Sequence, residues 1–222
     1  MKKQILLLFI TVISVTGWSQ NIATFGVRAG LSSAGIRGDA VNNLDNLLNF
    51  TKGMVTTHNR TGFFAGAYAN IPLGTGLSFE PALYYAQKGY ELRGELGLKG
   101  TEFLGAKAGA RLQSDYIDMP LLLKADLGSG FQVFAGPQFS YIASSKLKTS
   151  AGVLGFNLFN NTMDAKDQFN KWDMGVTGGV AYQFKNGVNI MASYDYGLSK
   201  IDANQNINGY NNAIKVGLGF RF

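Results

Sequence analysis

Residues 116–128 read YIDMPLLLKADLG. Ile117, Met119, Leu121, Leu123, Ala125 and Leu127 share one parity, and all are apolar. Tyr116, Asp118, Lys124 and Asp126 share the other, with Pro120 and Leu122 among them. Side chains alternate across a strand, so this segment predicts a strand with one oily face and one charged face. The alternation recurs along the chain and predicts eight strands, at 24–34, 61–71, 76–88, 114–127, 130–144, 171–184, 187–198 and 211–222. In the last, Ile214, Val216, Leu218, Phe220 and Phe222 oppose Lys215 and Arg221. No long helical period competes with this pattern.

The connections carry a second signal. PLGT, GS and KN turns join strands two to three, four to five and six to seven, whereas long segments near 35–60, 89–113, 145–170 and 199–210 join the others. Strict alternation of short and long connections predicts an all-β fold: an eight-stranded antiparallel up-and-down transmembrane β-barrel with short periplasmic turns and long extracellular loops. A soluble lipocalin-like barrel is the rival, with its apolar face turned inward and its polar face in water. The polar parity decides between them. It is poor in charge and rich in small residues such as Gly62, Gly66, Ala82, Gly136, Gly175, Gly179, Gly217 and Gly219, which suit a crowded interior.

The charges on that parity come in both signs. Arg28, Lys88, Lys124, Lys171, Lys215 and Arg221 stand against Glu80, Asp118, Asp126, Asp173 and Asp195. Inside a narrow lumen an unpaired charge is costly, so these residues are expected to form ion pairs. Phe25, Tyr85, Trp172, Phe184, Tyr196 and Phe222 bunch toward strand ends, as an interfacial aromatic girdle would. Pro81, Pro120 and Pro137 sit mid-strand, where each forfeits a ladder hydrogen bond, and bulges or local bends are expected there.

Composition adds limits. The 222 residues include 29 Gly and no Cys, so an exported chain of this kind depends on packing and on a closed hydrogen-bond network. The net charge of +6 includes Lys2 and Lys3, and no basic stripe is visible, so a nucleic-acid partner is not indicated. MKK followed by QILLLFITVISV and TGWSQ has the charged, apolar and small-residue regions of a signal peptide, with cleavage expected after Ser19 and residues 20–222 forming the barrel.

Candidate chemistry is sparse. His58, the only histidine, falls in the first long segment without partners for metal or catalytic use. Lumen carboxylates such as Glu80, Asp118 and Asp126 read as structural ion pairs rather than as an acid and a base. No Ser-His-Asp triad assembles from the spacing, and GTG and GSG are turns without the rest of a phosphate loop. No catalytic residue, cofactor or metal is therefore expected. DAVNNLDNLLNF at 39–50 has the spacing of a short amphipathic helix. AGVLGFNLFNN at 151–161 is apolar and reads as a strand extension packed on its neighbour, or as a site for a hydrophobic ligand or surface protein. DANQNINGYNN at 202–212 is polar.

FGVRAGL at 25–31, SFEPALYYAQKG at 78–89, YIDMPLLLK at 116–124 and FAGPQFSY at 134–141 together resemble the outer-membrane β-barrel family often labelled porin-family or PorT-like. The resemblance spans nearly all of residues 20–222, and the mid-strand prolines fall inside the family-like stretches. The end, KVGLGFRF, is similar to the signal read by the barrel-assembly machinery, on Lys215, Gly217, Phe220 and Phe222. The resemblance implies residence in the cell outer membrane, with outer-membrane lipid and that machinery as partners. PorT itself is associated with protein secretion, but the shared stretches build the barrel and do not carry that role over. Eight strands leave a lumen that side chains fill. A structural or surface-interaction barrel without catalysis is the leading reading. A narrow channel or hydrophobic-ligand carrier, and an accessory part of a secretion machine, are its alternatives.

Overall fold

The computed structural model describes residues 23–38, 55–96, 106–153, 156–164, 166, 169–201 and 209–222. The signal-peptide stretch, the amphipathic stretch 39–50 and residues 202–208 lie outside them. The described chain forms nine antiparallel strands: β1 (Thr24–Arg37), β2 (Val55–Gly74), β3 (Leu77–Leu96), β4 (Ala106–Gly128), β5 (Phe131–Val153), β6 (Phe156–Asp164), β7 (Trp172–Gln183), β8 (Val188–Gly197) and β9 (Tyr210–Arg221). Eight of them close a barrel in the order β4-β3-β2-β1-β9-β8-β7-β5, with β4–β5 pairing to complete the ring. β1 lies between β2 and β9, so the first and last strands are neighbours, with Gly26 opposite Arg221. Both ends of the barrel chain therefore sit on the side of the short turns.

The apolar parity faces outward. Val27, Leu31, Leu83, Leu123, Val176, Val180, Val216 and Leu218 are exposed, while Arg28, Glu80, Asp118, Lys124 and Lys215 are buried. Val216 and Leu218, at 59% and 63% exposure, would be anomalous in water but are apt in hydrocarbon. Aromatic rings frame this band. Phe131, Tyr182 and Phe184 meet edge to face at the turn end, and Phe63–Tyr85, Tyr141–Trp172 and Tyr194–Tyr196 pair toward the other.

The mid-strand prolines do not produce bulges. The β3–β4 ladder runs from Pro81↔Leu121 to Tyr84↔Asp118 with no pairing between, and the β4–β5 ladder from Pro120↔Gln138 to Leu123↔Ala135. Both resume in unchanged register, so proline, which has no N–H to donate, interrupts the ladder locally instead of shifting it. Bulges occur elsewhere, for instance between Asp115 and Tyr116 midway along β4, where Ala143 of β5 is the extra residue. That insertion turns both Ile142 and Ser145 inward.

The long connections are shorter than expected because β2 to β5 continue into them. These strands have 20–23 residues, against 10–12 in β7 to β9. Roughly 9–11 residues suffice to cross the hydrocarbon. The surplus, with β6 paired onto β5, forms a five-stranded sheet that projects beyond the rim. His58 accordingly lies in β2, opposite Glu91, and not in a loop. AGVLGFNLFNN contributes the β5–β6 hairpin, with residues 154–155 outside the described set.

Leu218→Arg places a charge on the lipid face near the middle of β9. It should cost about 2–4 kcal/mol of stability in urea titrations of the chain folded into phospholipid vesicles. An unchanged midpoint would mean that this face does not meet hydrocarbon.

Candidate functional site

The lumen contains two ionic clusters, and together they draw on all eight barrel strands. Nearer the turns, Arg28 of β1 donates from Nη1 to Glu80 Oε1 at 2.9 Å and to Tyr84 Oη at 2.7 Å. Its guanidinium also lies 4.2 Å from the Tyr68 ring centroid and donates to Asn189 Oδ1 at 3.3 Å. Asn189 in turn donates to Tyr68 Oη at 2.8 Å. Lys124 of β4 closes this cluster on the second oxygen of Glu80.

The second cluster centres on Asp118, which is fully buried. Its carboxylate accepts from Lys88 Nζ at 2.8 Å, Lys215 Nζ at 2.9 Å and Ser140 Oγ at 2.7 Å. Lys215 also meets Asp195 at 2.7 Å, and Asp195 accepts from Thr177 Oγ1 at 2.7 Å and from Gln138 Nε2 at 3.2 Å. Further out, Asn211 donates to Asp173 Oδ2 at 2.8 Å and to Tyr116 Oη at 3.2 Å. The other oxygen of Asp173 has no partner among the described residues and adjoins a cavity of about 10 Å³.

The buried charges of the described residues balance. Arg28, Lys88, Lys124 and Lys215 oppose Glu80, Asp118, Asp173 and Asp195. Ion pairing in a low-dielectric interior requires this, since an uncompensated charge there costs several kcal/mol. Parity thus located eight interior charges. It misplaced three others: Asp126 and Lys171 are exposed, and Arg221 is only half-buried. Asp126 and Arg221 line the open mouth at the turn end, a cavity of about 290 Å³, and Asp126 accepts from the Gly128 N–H at 2.9 Å. The reason is depth: alternation fixes which side a residue faces, not how far along the barrel it sits.

Between and around the clusters, Phe64, Tyr84, Leu122, Phe134 and Met191 fill the lumen. Phe64 and Phe134 share the inward parity of the small residues, which alone suggested a crowded interior in the sequence. The two sets fit together. A Cβ on Gly217 would lie 2.7 Å from Phe64 Cζ, and one on Gly179 would lie 2.7 Å from Phe134 Cζ. Gly217 of the terminal pattern therefore has a packing task, and Lys215 an ionic one, while Phe220 and Phe222 are exposed on the outside.

Among the described residues, the cavities inside the barrel wall are small. The lumen cavities measure about 10 and 20 Å³, room for about one water each. At the outer end Ile36, Leu112, Tyr116, Phe169 and Ile201 surround a further cavity of about 10 Å³. Above it the inner face of the projecting sheet carries the cross-strand row Tyr90, Leu112, Leu147 and Met163, and its outer face the row Glu91, Arg111, Lys148 and Thr162. The polarity of the barrel wall is thus inverted in the projection: apolar within, charged without.

A family model described as outer membrane protein beta-barrel domain matches residues 18–203. Among solved structures, the chain is similar to Ail, the attachment invasion locus protein of Yersinia pestis, at 13% identity and a TM-score of 0.47, covering 90% of this chain and 99% of that one. It is also similar to OprG from Pseudomonas aeruginosa, at 13% identity and 0.45, covering 91% and 97%. Neisserial surface protein A gives 18% and 0.42, covering 90% and 99%. A comparison with curated proteins finds no match.

Asp118→Asn would leave Lys88 and Lys215 facing each other without their shared counter-charge. It should destabilise the folded barrel by about 3–5 kcal/mol in vesicle unfolding titrations. Asp126→Asn, at the mouth, should stay within about 0.5 kcal/mol of the parent chain. Equal effects would show that the buried network is not what holds the lumen.

Proposed function

The chain belongs to the outer membrane protein β-barrel domain family and so resides in the outer membrane; from that premise we propose that it is a non-catalytic surface-interaction protein. The barrel serves as a sealed anchor, and the projecting sheet is its working part. The observation that carries this reading is the projection itself. β2 to β5 continue well beyond the length needed to cross, and β6 extends their sheet with an edge that pairs only with β5 among the described residues. An open edge presents main-chain donors and acceptors to an extended segment of another protein, and exposed Phe159 and Met163 beside it offer apolar contact.

The filled lumen speaks against the channel alternative. Its carboxylates are held by cations or amides and sealed from substrate, which also favours a role without catalysis. Export would proceed with removal of residues 1–19, and insertion would rely on the barrel-assembly machinery reading Lys215, Gly217, Phe220 and Phe222.

Three measurements test these points. A photo-crosslinking residue at Asn160 or Thr162, in intact cells, should give a discrete adduct with an extracellular or surface protein. Monomer alone at both positions would overturn the interaction reading. In planar bilayers the purified chain should give no regular conductance steps, and reproducible steps would reinstate the channel. The mature protein should begin at Gln20 when its N-terminus is sequenced.

A further inference from the structure

The mouth at the turn end holds polar groups that the ionic clusters leave unused. Asn70, Ser78, Asp126, Gln132 and Arg221 line its cavity of about 290 Å³. One inward position deeper, Glu80 gives one oxygen to Arg28 and the other to Lys124. That cluster has no carboxylate left for Arg221, which has no ion-pair partner among the described residues. Gln132 is 9% exposed, yet its amide makes no hydrogen bond among those residues. A buried amide without a partner has lost its hydration and gained nothing in return. Asp126 spends one oxygen on the Gly128 N–H at 2.9 Å, and the other is free among the described residues. Ser78 Oγ accepts from Asn70 Nδ2 at 2.9 Å, which leaves its own O–H to donate.

The two unused charges have opposite signs and stand on opposite walls. In the closed ring, β4 and β9 are separated by β3, β2 and β1 on one side and by β5, β7 and β8 on the other. Arg221 on β9 and Asp126 on β4 thus face the same cavity from across the mouth, and no salt bridge joins them. A simple anion would satisfy Arg221 and be repelled by Asp126, and a simple cation the reverse. A ligand with a carboxylate at one end and an ammonium at the other satisfies both. Gln132 is the ladder partner of Asp126, so its free amide stands beside the anionic wall.

We propose that this mouth binds short peptides with free termini, Arg221 holding the carboxylate, Asp126 the ammonium and Gln132 a main-chain group between them. The separation of the two walls selects a dipeptide or longer over a single amino acid, whose two charges share one carbon. The peptide comes from the periplasm, because the mouth lies at the end of the short turns. Side chains fill the lumen below it, so the site captures its ligand and does not pass it on. It lies at the end of the barrel opposite the β6 edge and is independent of the surface-interaction reading.

The test is isothermal titration of the full-length mature chain, in neutral detergent micelles, with alanyl-alanine. Saturable binding with a Kd of about 1 mM is expected. R221Q and D126N should each weaken it roughly tenfold, and Q132A roughly threefold. Because D126N leaves stability nearly unchanged, its loss of binding is not a loss of fold. Alanyl-alanine amide, without the carboxylate, should bind the parent chain as weakly as the free dipeptide binds R221Q. The N-acetylated dipeptide, without the ammonium, should match the loss in D126N, and free alanine should bind more weakly than the dipeptide. K148Q, at the far end of the barrel, should equal the parent chain. Absence of saturable binding to the parent chain would overturn the proposal. So would N-acetylated dipeptide or free alanine binding as tightly as alanyl-alanine, or an equal loss in K148Q.

Discussion

In hydrocarbon no water is available to accept or donate a main-chain hydrogen bond, and each orphaned group costs several kcal/mol. Closure of the sheet answers this constraint. Once β4 pairs with β5, the eight-stranded ring has no edge within the membrane. The three prolines on β3, β4 and β5 show how little tolerance is left. They cluster on adjacent strands, and the ladder reopens beside them in the same register. A shift at that point would carry apolar residues inward along the whole of a strand.

Closure creates the second constraint. A ring of eight strands encloses a space that side chains must fill, and the inward parity is the polar one. The chain resolves this with matched charge and matched volume. Asp118 bridges two lysines from β3 and β9, and Glu80 bridges cations from β1 and β4. Each bridge ties strands far apart in sequence, so the ionic clusters specify which strands oppose one another across the lumen. Shape acts more locally: Phe64 of β2 reaches over β1 to Gly217 of β9, and Phe134 packs on its own ladder partner Gly179.

Much of this was legible in the sequence because alternation in a barrel wall is a strict code for side. Strand number, closure, outward apolar face and the eight interior charges all follow from it. Depth does not, which is why Asp126 and Arg221 were placed with the interior set. The projecting sheet escaped for a different physical reason. Ala143 inserts one residue and reverses the phase of β5, and above that point the apolar parity faces inward. SKLKTS at 145–150 still alternates, but in the opposite sense, so a template tuned to the membrane wall treats it as loop. Pairing of β6 to β5 depends on a contact between segments that no local pattern announces.

The inversion of polarity at Ala143 also ties the wall to the projection. Below it a lipid environment rewards an apolar exterior; above it water rewards a charged one, and the apolar side chains of Leu112 and Leu147 turn toward the mouth. A one-residue insertion is enough because the side-chain period of a strand is two. The same backbone can therefore run from bilayer to solvent without a loop at the interface, with only Ala143 left out of the β4–β5 ladder at that point. Among the described residues the buried charges balance, and the edge of β6 stands outside the closed wall.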